Sequence, residues 1–329
     1  LRNILDPQQI ADLENFEGNA QALRIITKLH RLIGKNGMHL TSAVMDTIIK
    51  YPCDSLTMMK EKQKPKHERN LLKKKIGYFQ SEQEQFAIIK NNTGTRNTRN
   101  PLCFLLEAAD DLAYTFADLE DGYNKGLYTY QDLLDVVIKA GDEKGKALLE
   151  KELENGIQEQ IGSKTSVDPY KYAVFSWLTK KQLYSVSRVS DAFILHYDEI
   201  MNGEFFDELI TESSEGKLIN ALKEFAYRRI YCHSSILKLE LMGNEILSFL
   251  LDRFVDALLP YDTDIEITEI QKKYIDLLSQ NYLEQYHETA KTVKSEEDKV
   301  YARLLLATDF IAGMTDSYAK RLYQELRGI

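Results

Sequence analysis

At 329 residues, with 43% hydrophobic and 28% charged side chains, the chain is long and apolar enough to bury a substantial core, which excludes a largely disordered protein. Its formal charge of −9 excludes a surface that is basic throughout, while leaving room for a local phosphate site. Cys53, Cys103 and Cys232 are odd in number and lack metal-ligand spacing, and no apolar run reaches membrane-spanning length, so a cytoplasmic, reducing setting with no membrane partner is expected.

Helical rhythm runs along the whole chain, and Leu, Glu, Lys and Ala abound, so an all-α fold is predicted. "NFEGNAQALRIITKLHRLIGKNG" places Ala22, Leu23, Ile25, Ile26, Leu29 and Leu32 near a 3.6-residue period and stops at glycines. "LTSAVMDTIIKYP" offers Thr41 as an N-cap and ends before Pro52. Lys60 to Lys75 is strongly basic and reads as an exposed, mobile connection, or alternatively as a surface for phosphates or single-stranded nucleic acid. "KNNTGTRNTRNP" reads as a loop. Helices are then expected over "TYQDLLDVVIKAG", near 143–160, from Asp168 to Glu199, and twice within residues 218–260. Two more close the chain on either side of Gly313-Met314-Thr315, where Gly313 would permit an unusual backbone angle and Thr315 or Asp316 would cap the last helix. Trp177 reads as core, and His67, His196 and His233 read as loop or packing histidines. The chain should form one domain with a loosely separable C-terminal half, divided as 1–130 and 131–329.

The segment 102–121 carries the chemistry. On a helical wheel Glu107, Asp110, Tyr114, Asp118 and Asp121 share one narrow face, with Asp111 at its border. Leu105, Leu106, Ala109, Leu112, Ala113, Phe116 and Leu119 take the other side. Pattern alone favours a solvated acidic face; the alternative is a site for a hard divalent cation, which takes carboxylate oxygen and keeps it ionised. Asp110, Tyr114 and Asp118, at i, i+4 and i+8, form a line about two turns long.

"NFEGNAQ" (15–21), "KYP" (50–52), "GYFQSE" (77–82), "PLCFLLEAADDLAYTFADLED" (101–121) and "DFIAGMTDSYAKRLY" (309–323) occur in one order. That set resembles the bacterial deoxyguanosine triphosphate triphosphohydrolases, a branch of the HD-domain phosphohydrolases. The resemblance implies an all-helical, metal-dependent enzyme, using Mg²⁺ or Mn²⁺, that hydrolyses dGTP or another deoxynucleoside triphosphate to deoxynucleoside and tripolyphosphate. It implies Asp110 as a metal ligand and Lys50, Tyr51, Tyr114 and Asp118 as substrate contacts. It further implies a homo-oligomer, often a hexamer, with single-stranded DNA or a nucleotide as effector.

The family's metal histidine and His-Asp pair, and its catalytic His and Glu, precede "FEGNAQ". No His-Asp dipeptide occurs here among six histidines, so residues 1–130 correspond to the remainder of the HD-type core and the chain to the C-terminal two-thirds of the family. Either the working protein is longer, which a first residue Leu1 in place of Met favours, or this polypeptide is a non-catalytic helical module that binds nucleotide or nucleic acid and regulates a partner.

Overall fold

The computed structural model describes residues 2–30, 37–162 and 168–329, and every regular element among them is a helix. The chain begins with α1 (Pro7–Glu14), α2 (Gly18–Arg24) prolonged by a π-turn over Ile25–Leu29, α3 (Ser42–Ile48), α4 (Ser55–Lys62) and α5 (Gln83–Thr93). Next come α6 (Pro101–Asn124), α7 (Tyr130–Ala140), α8 (Glu143–Gly162), α9 (Pro169–Leu195), α10 (Tyr197–Asn202), α11 (Leu209–Glu212) and α12 (Gly216–Ala226) with a second π-turn over Tyr227–Tyr231. α13 (Ser234–Leu258), α14 (Glu269–Asp276), α15 (Gln280–Thr292), α16 (Glu296–Ala312) and α17 (Asp316–Arg327) complete it. The expected extension of the first rhythm to Leu32 lies outside the described residues. Among the described residues no helix is long and apolar enough to cross a membrane.

Local rules account for most helix ends. Thr41 caps α3 by accepting from the Val44 amide at 3.4 Å, and Thr315 caps α17 by accepting from Tyr318 at 3.2 Å. Gly313 differs from expectation, because its φ of −80° is ordinary helical backbone. Its small size matters instead: a Cβ there would lie 2.0 Å from the Tyr282 hydroxyl. The basic stretch also differs from a mobile connection. It folds as two 3-10 turns, with Arg69 donating to the carbonyls of Lys62 at 2.6 Å and Lys64 at 2.8 Å, and the Asn70 amide donating to Glu61 at 2.7 Å.

Two compact units make up the chain: 1–100 with 240–329, and 101–239. This division differs from the expected boundary at 130. Phe104, Leu112, Phe116 and Leu119 of α6 share one core with Leu133 and Val137 of α7, Trp177 of α9 and Leu222 of α12, so residues on either side of 130 are packed together. Trp177 is wholly buried there and donates to the Gly145 carbonyl at 2.7 Å, which agrees with its reading as core.

The first unit centres on Leu250, Phe254, Tyr286, Leu306 and Phe310. Beside that core lies a buried ion network. The Arg24 guanidinium grips Asp309 bidentately, Nε to Oδ1 at 2.8 Å and Nη2 to Oδ2 at 2.7 Å, and reaches Glu82 at 2.8 Å. Gln21 donates to Asp309 at 3.0 Å, and Lys28 pairs with Glu82 at 3.0 Å. Nearby, the buried Asp12 accepts from Ser55 at 2.5 Å, the Gln80 amide at 2.7 Å and the Tyr301 hydroxyl at 2.7 Å. Burial nevertheless pushes its carboxyl up.

Removing one member of such a network strands the others in a medium that cannot solvate them. Arg24→Met should therefore destabilise the protein by about 3–5 kcal/mol in urea unfolding. Glu82 supplies a pH signature. Burial pushes its carboxyl up, but Arg24 and Lys28 outweigh burial and hold it below the ordinary range. A folded-state pKa below the unfolded one gives stability that is present above the unfolded value, about 4.3 for glutamate, and lost as the pH falls through the folded value. The urea midpoint should fall on acidification from about pH 5 to about pH 3, and Glu82→Gln should flatten that slope.

Candidate functional site

α6 starts at Pro101, whose fixed φ suits a first turn, and runs 24 residues without a break. Its buried residues are Cys103, Phe104, Ala108, Leu112, Thr115, Phe116, Leu119 and Gly122. The apolar side is narrower than the wheel predicts: Leu106, Ala109 and Ala113 are exposed and Leu105 only half-buried, because α9, α11 and α12 cover a single stripe of the helix. Asp110, Tyr114 and Asp118 follow one another along the outer side, one turn apart. Asp110 is exposed, Tyr114 is 66% exposed and Asp118 is half-buried.

The two adjacent aspartates have different surroundings. Asp111 pairs with Lys223 of α12 at 2.7 Å, which answers its charge from the side. Asp110 keeps to the outer face. One turn beyond Asp118, Gly122 lets Ile230 press against α6, where a Cβ would meet the Ile230 side chain at 2.4 Å. The next residue, Tyr231, ends the π-turn and donates its hydroxyl to Asp118 Oδ2. Burial, then the Asp118 carboxylate, push the Tyr231 phenol above its ordinary value, so it remains a proton donor at neutral pH.

Lys50 and Tyr51 belong to the first unit, just past the end of α3. Lys50 is half-buried, whereas Tyr51 is only 7% exposed, its ring lying 5.4 Å from the Arg99 guanidinium carbon. The same unit has a cavity of about 510 Å³ walled by Arg24, Lys28, Tyr282, Tyr286 and Asp309, whose cations already serve Glu82 and Asp309.

A divalent metal needs several converging ligands. Among the described residues no three His, Cys, Asp or Glu side chains stand close enough to hold one, so these residues do not make a complete metal site. Three of the described histidines are engaged elsewhere: His196 with Glu199 at 2.9 Å, His233 with Ser235 at 2.8 Å, and His287 with the Tyr261 hydroxyl at 3.1 Å. In the basic segment Lys64 pairs with Glu61 at 2.9 Å and Lys75 with Glu17 at 3.1 Å, and Lys60, Lys62, Lys66 and Lys74 are exposed.

Sequence reasoning missed Tyr231, Lys223 and Arg99. Lys223 carries a weak signal, as a lysine facing an acidic helix, but Tyr231 carries none, because a π-turn shifts the helical register that a wheel assumes.

Comparison with known proteins supplies the rest. Residues 209–325 match the phosphohydrolase-associated domain. The deoxyguanosinetriphosphate triphosphohydrolase-like protein of Listeria monocytogenes is 40% identical over 335 aligned positions, covering 100% of this chain and 69% of the relative. The protein of the same description from Synechocystis is 29% identical over 99% of this chain and 68% of its own length. The deoxyguanosinetriphosphate triphosphohydrolase of an Enterobacter species is 30% identical over 97% of this chain and 64% of its own. An all-helical chain aligned from end to end at 40% identity leaves one conclusion: it belongs to the deoxyguanosinetriphosphate triphosphohydrolase-like family.

Proposed function

We propose that this chain is the larger part of an enzyme that hydrolyses dGTP, or another deoxynucleoside triphosphate, to deoxynucleoside and tripolyphosphate, with water added across the ester joining the 5′-oxygen to the triphosphate. The observation that carries this reading is the outer line of α6, where Asp110, Tyr114 and Asp118 stand one turn apart in a chain of this family. Asp110 would give one carboxylate to a divalent cation, Mg²⁺ or Mn²⁺, whose remaining ligands come from outside the described residues. Lys50 would answer triphosphate charge. Asp118, oriented by Tyr231, would accept a hydrogen bond from a sugar hydroxyl, and Tyr114 offers a largely open ring beside it. Tyr51 would contribute through the backbone it shares with Lys50. An assembly of several copies is the expected working form.

A second reading has one observation in its favour. The folded basic segment 60–75 presents several exposed lysines and contains no aromatic residue, which suits the phosphate backbone of a nucleic acid better than base stacking. Nucleic-acid binding there could regulate the enzyme or, without catalysis, be the whole function. A full-length protein that binds DNA but releases no tripolyphosphate from any deoxynucleoside triphosphate would select the non-catalytic alternative.

The full-length protein, incubated with dGTP and Mn²⁺ or Mg²⁺, should release tripolyphosphate, detected by phosphorus NMR. Side chains that only orient metal ligands are worth 10–100-fold, so Asp110→Ala, which removes a ligand, should cost roughly 100-fold or more. An unchanged rate would reject the assignment of Asp110. Tyr231→Phe loosens Asp118 without altering its charge and should lower kcat/KM about 10-fold. Combined with Asp118→Asn it should add little, because both changes break one contact.

A further inference from the structure

We infer that Arg99 is a positioning residue for the Lys50–Tyr51 pair, fixing the backbone from which Lys50 presents its charge to a triphosphate. This rests on the reading of Lys50 as a phosphate contact.

Arg99 is 3% exposed, and its Nε donates to the Lys50 carbonyl at 2.6 Å. Its guanidinium carbon also lies 5.4 Å from the centroid of the buried Tyr51 ring. One planar group thus holds both residues, by an N–H and by its position over the ring. A lysine in its place has a point charge and no plane, and cannot do both at once.

The held backbone needs such a clamp. α3 ends at Ile48, and the ψ of 88° at the next residue, Ile49, turns the chain out of the helix, so the Lys50 carbonyl lies beyond the helical ladder. Further contacts fasten the following residues: the Cys53 amide donates to the Tyr51 carbonyl at 2.8 Å, and the Gly77 amide donates to the Cys53 carbonyl at 3.0 Å. Gly77 also packs so closely that a Cβ would lie 1.8 Å from the Tyr51 carbonyl oxygen. Only glycine fits there. Arg99 therefore closes a grip whose other members hold residues 51–53, and its own bond acts on Lys50. Positions of phosphate-binding groups matter at the scale of an ångström, where misplacement costs up to about 100-fold in rate.

The test is a double-mutant cycle in the full-length protein, with Arg99→Lys and Lys50→Met alone and together, reading kcat/KM for dGTP, the Kd for dGTP and the thermal midpoint. If Arg99 acts through Lys50, Arg99→Lys should lower kcat/KM and weaken dGTP binding about 10-fold in the native background, and less than about twofold once Lys50 is methionine. Equal losses in both backgrounds, with or without a lowered thermal midpoint, would show a merely structural role and overturn the inference. So would an Arg99→Lys variant with native kcat/KM and Kd. A wild-type protein that binds dGTP without hydrolysing it would sink the proposed activity while leaving the binding cycle to judge Arg99. A protein that neither binds nor hydrolyses dGTP would sink both.

Discussion

The first unit depends on one buried cation. Arg24 holds two carboxylates, Asp309 and Glu82, that lie far from it in sequence, and water is nearly excluded from all three. Burying three ions is expensive, and it succeeds here because almost every oxygen has a donor: two from Arg24 and one from Gln21 on Asp309, with Arg24, Lys28 and Ser81 on Glu82. Three members of this network stand at one end of a stretch that marks the family. Gln21 ends "NFEGNAQ", Glu82 ends "GYFQSE" and Asp309 begins "DFIAGMTDSYAKRLY". Those stretches are joined by an electrostatic knot that shapes the unit, and none of the knot's members need touch a substrate.

Helix α6 of the second unit uses charge in the opposite way. Its buried stripe is apolar apart from Thr115, and its carboxylates are exposed or half-buried. Asp111 is answered by Lys223 and Asp118 by the Tyr231 hydroxyl, each reached from α12 or the π-turn that prolongs it. Asp110 stays on the outer face, one residue before Asp111 and two turns before Asp118. A helix built this way is rigid on its buried stripe and chemically open on the other, which is the arrangement a preorganised site requires.

Much of this was legible in the residues. The all-α fold, the Thr41 and Thr315 caps, the buried Trp177 and the i, i+4, i+8 line of Asp110, Tyr114 and Asp118 follow from periodicity and capping chemistry, which act over a few residues. What failed depends on distant parts of the chain. The exposure of Leu106, Ala109 and Ala113 is decided by which helices cover α6, and the tight spot at Gly313 by a tyrosine 31 residues earlier. The order in the basic segment comes from Arg69 folding back onto two carbonyls, a bond that a run of lysines does not announce. Tyr231 and Arg99 were invisible because the contacts that single them out are non-local.

The interrupted course of the first unit bears on how the protein is made. Residues 101–239 emerge from the ribosome as one continuous run, whereas the unit of residues 1–100 is completed only by 240–329. Asp309 lies 285 residues beyond Arg24, so at ordinary rates of synthesis it arrives roughly 15–60 s later. Until then residues 1–100 hold a guanidinium and the Glu82 carboxylate without the partner that completes them. Assembly of that half waits for the helices of residues 240–329, after the whole of the other unit has been synthesised.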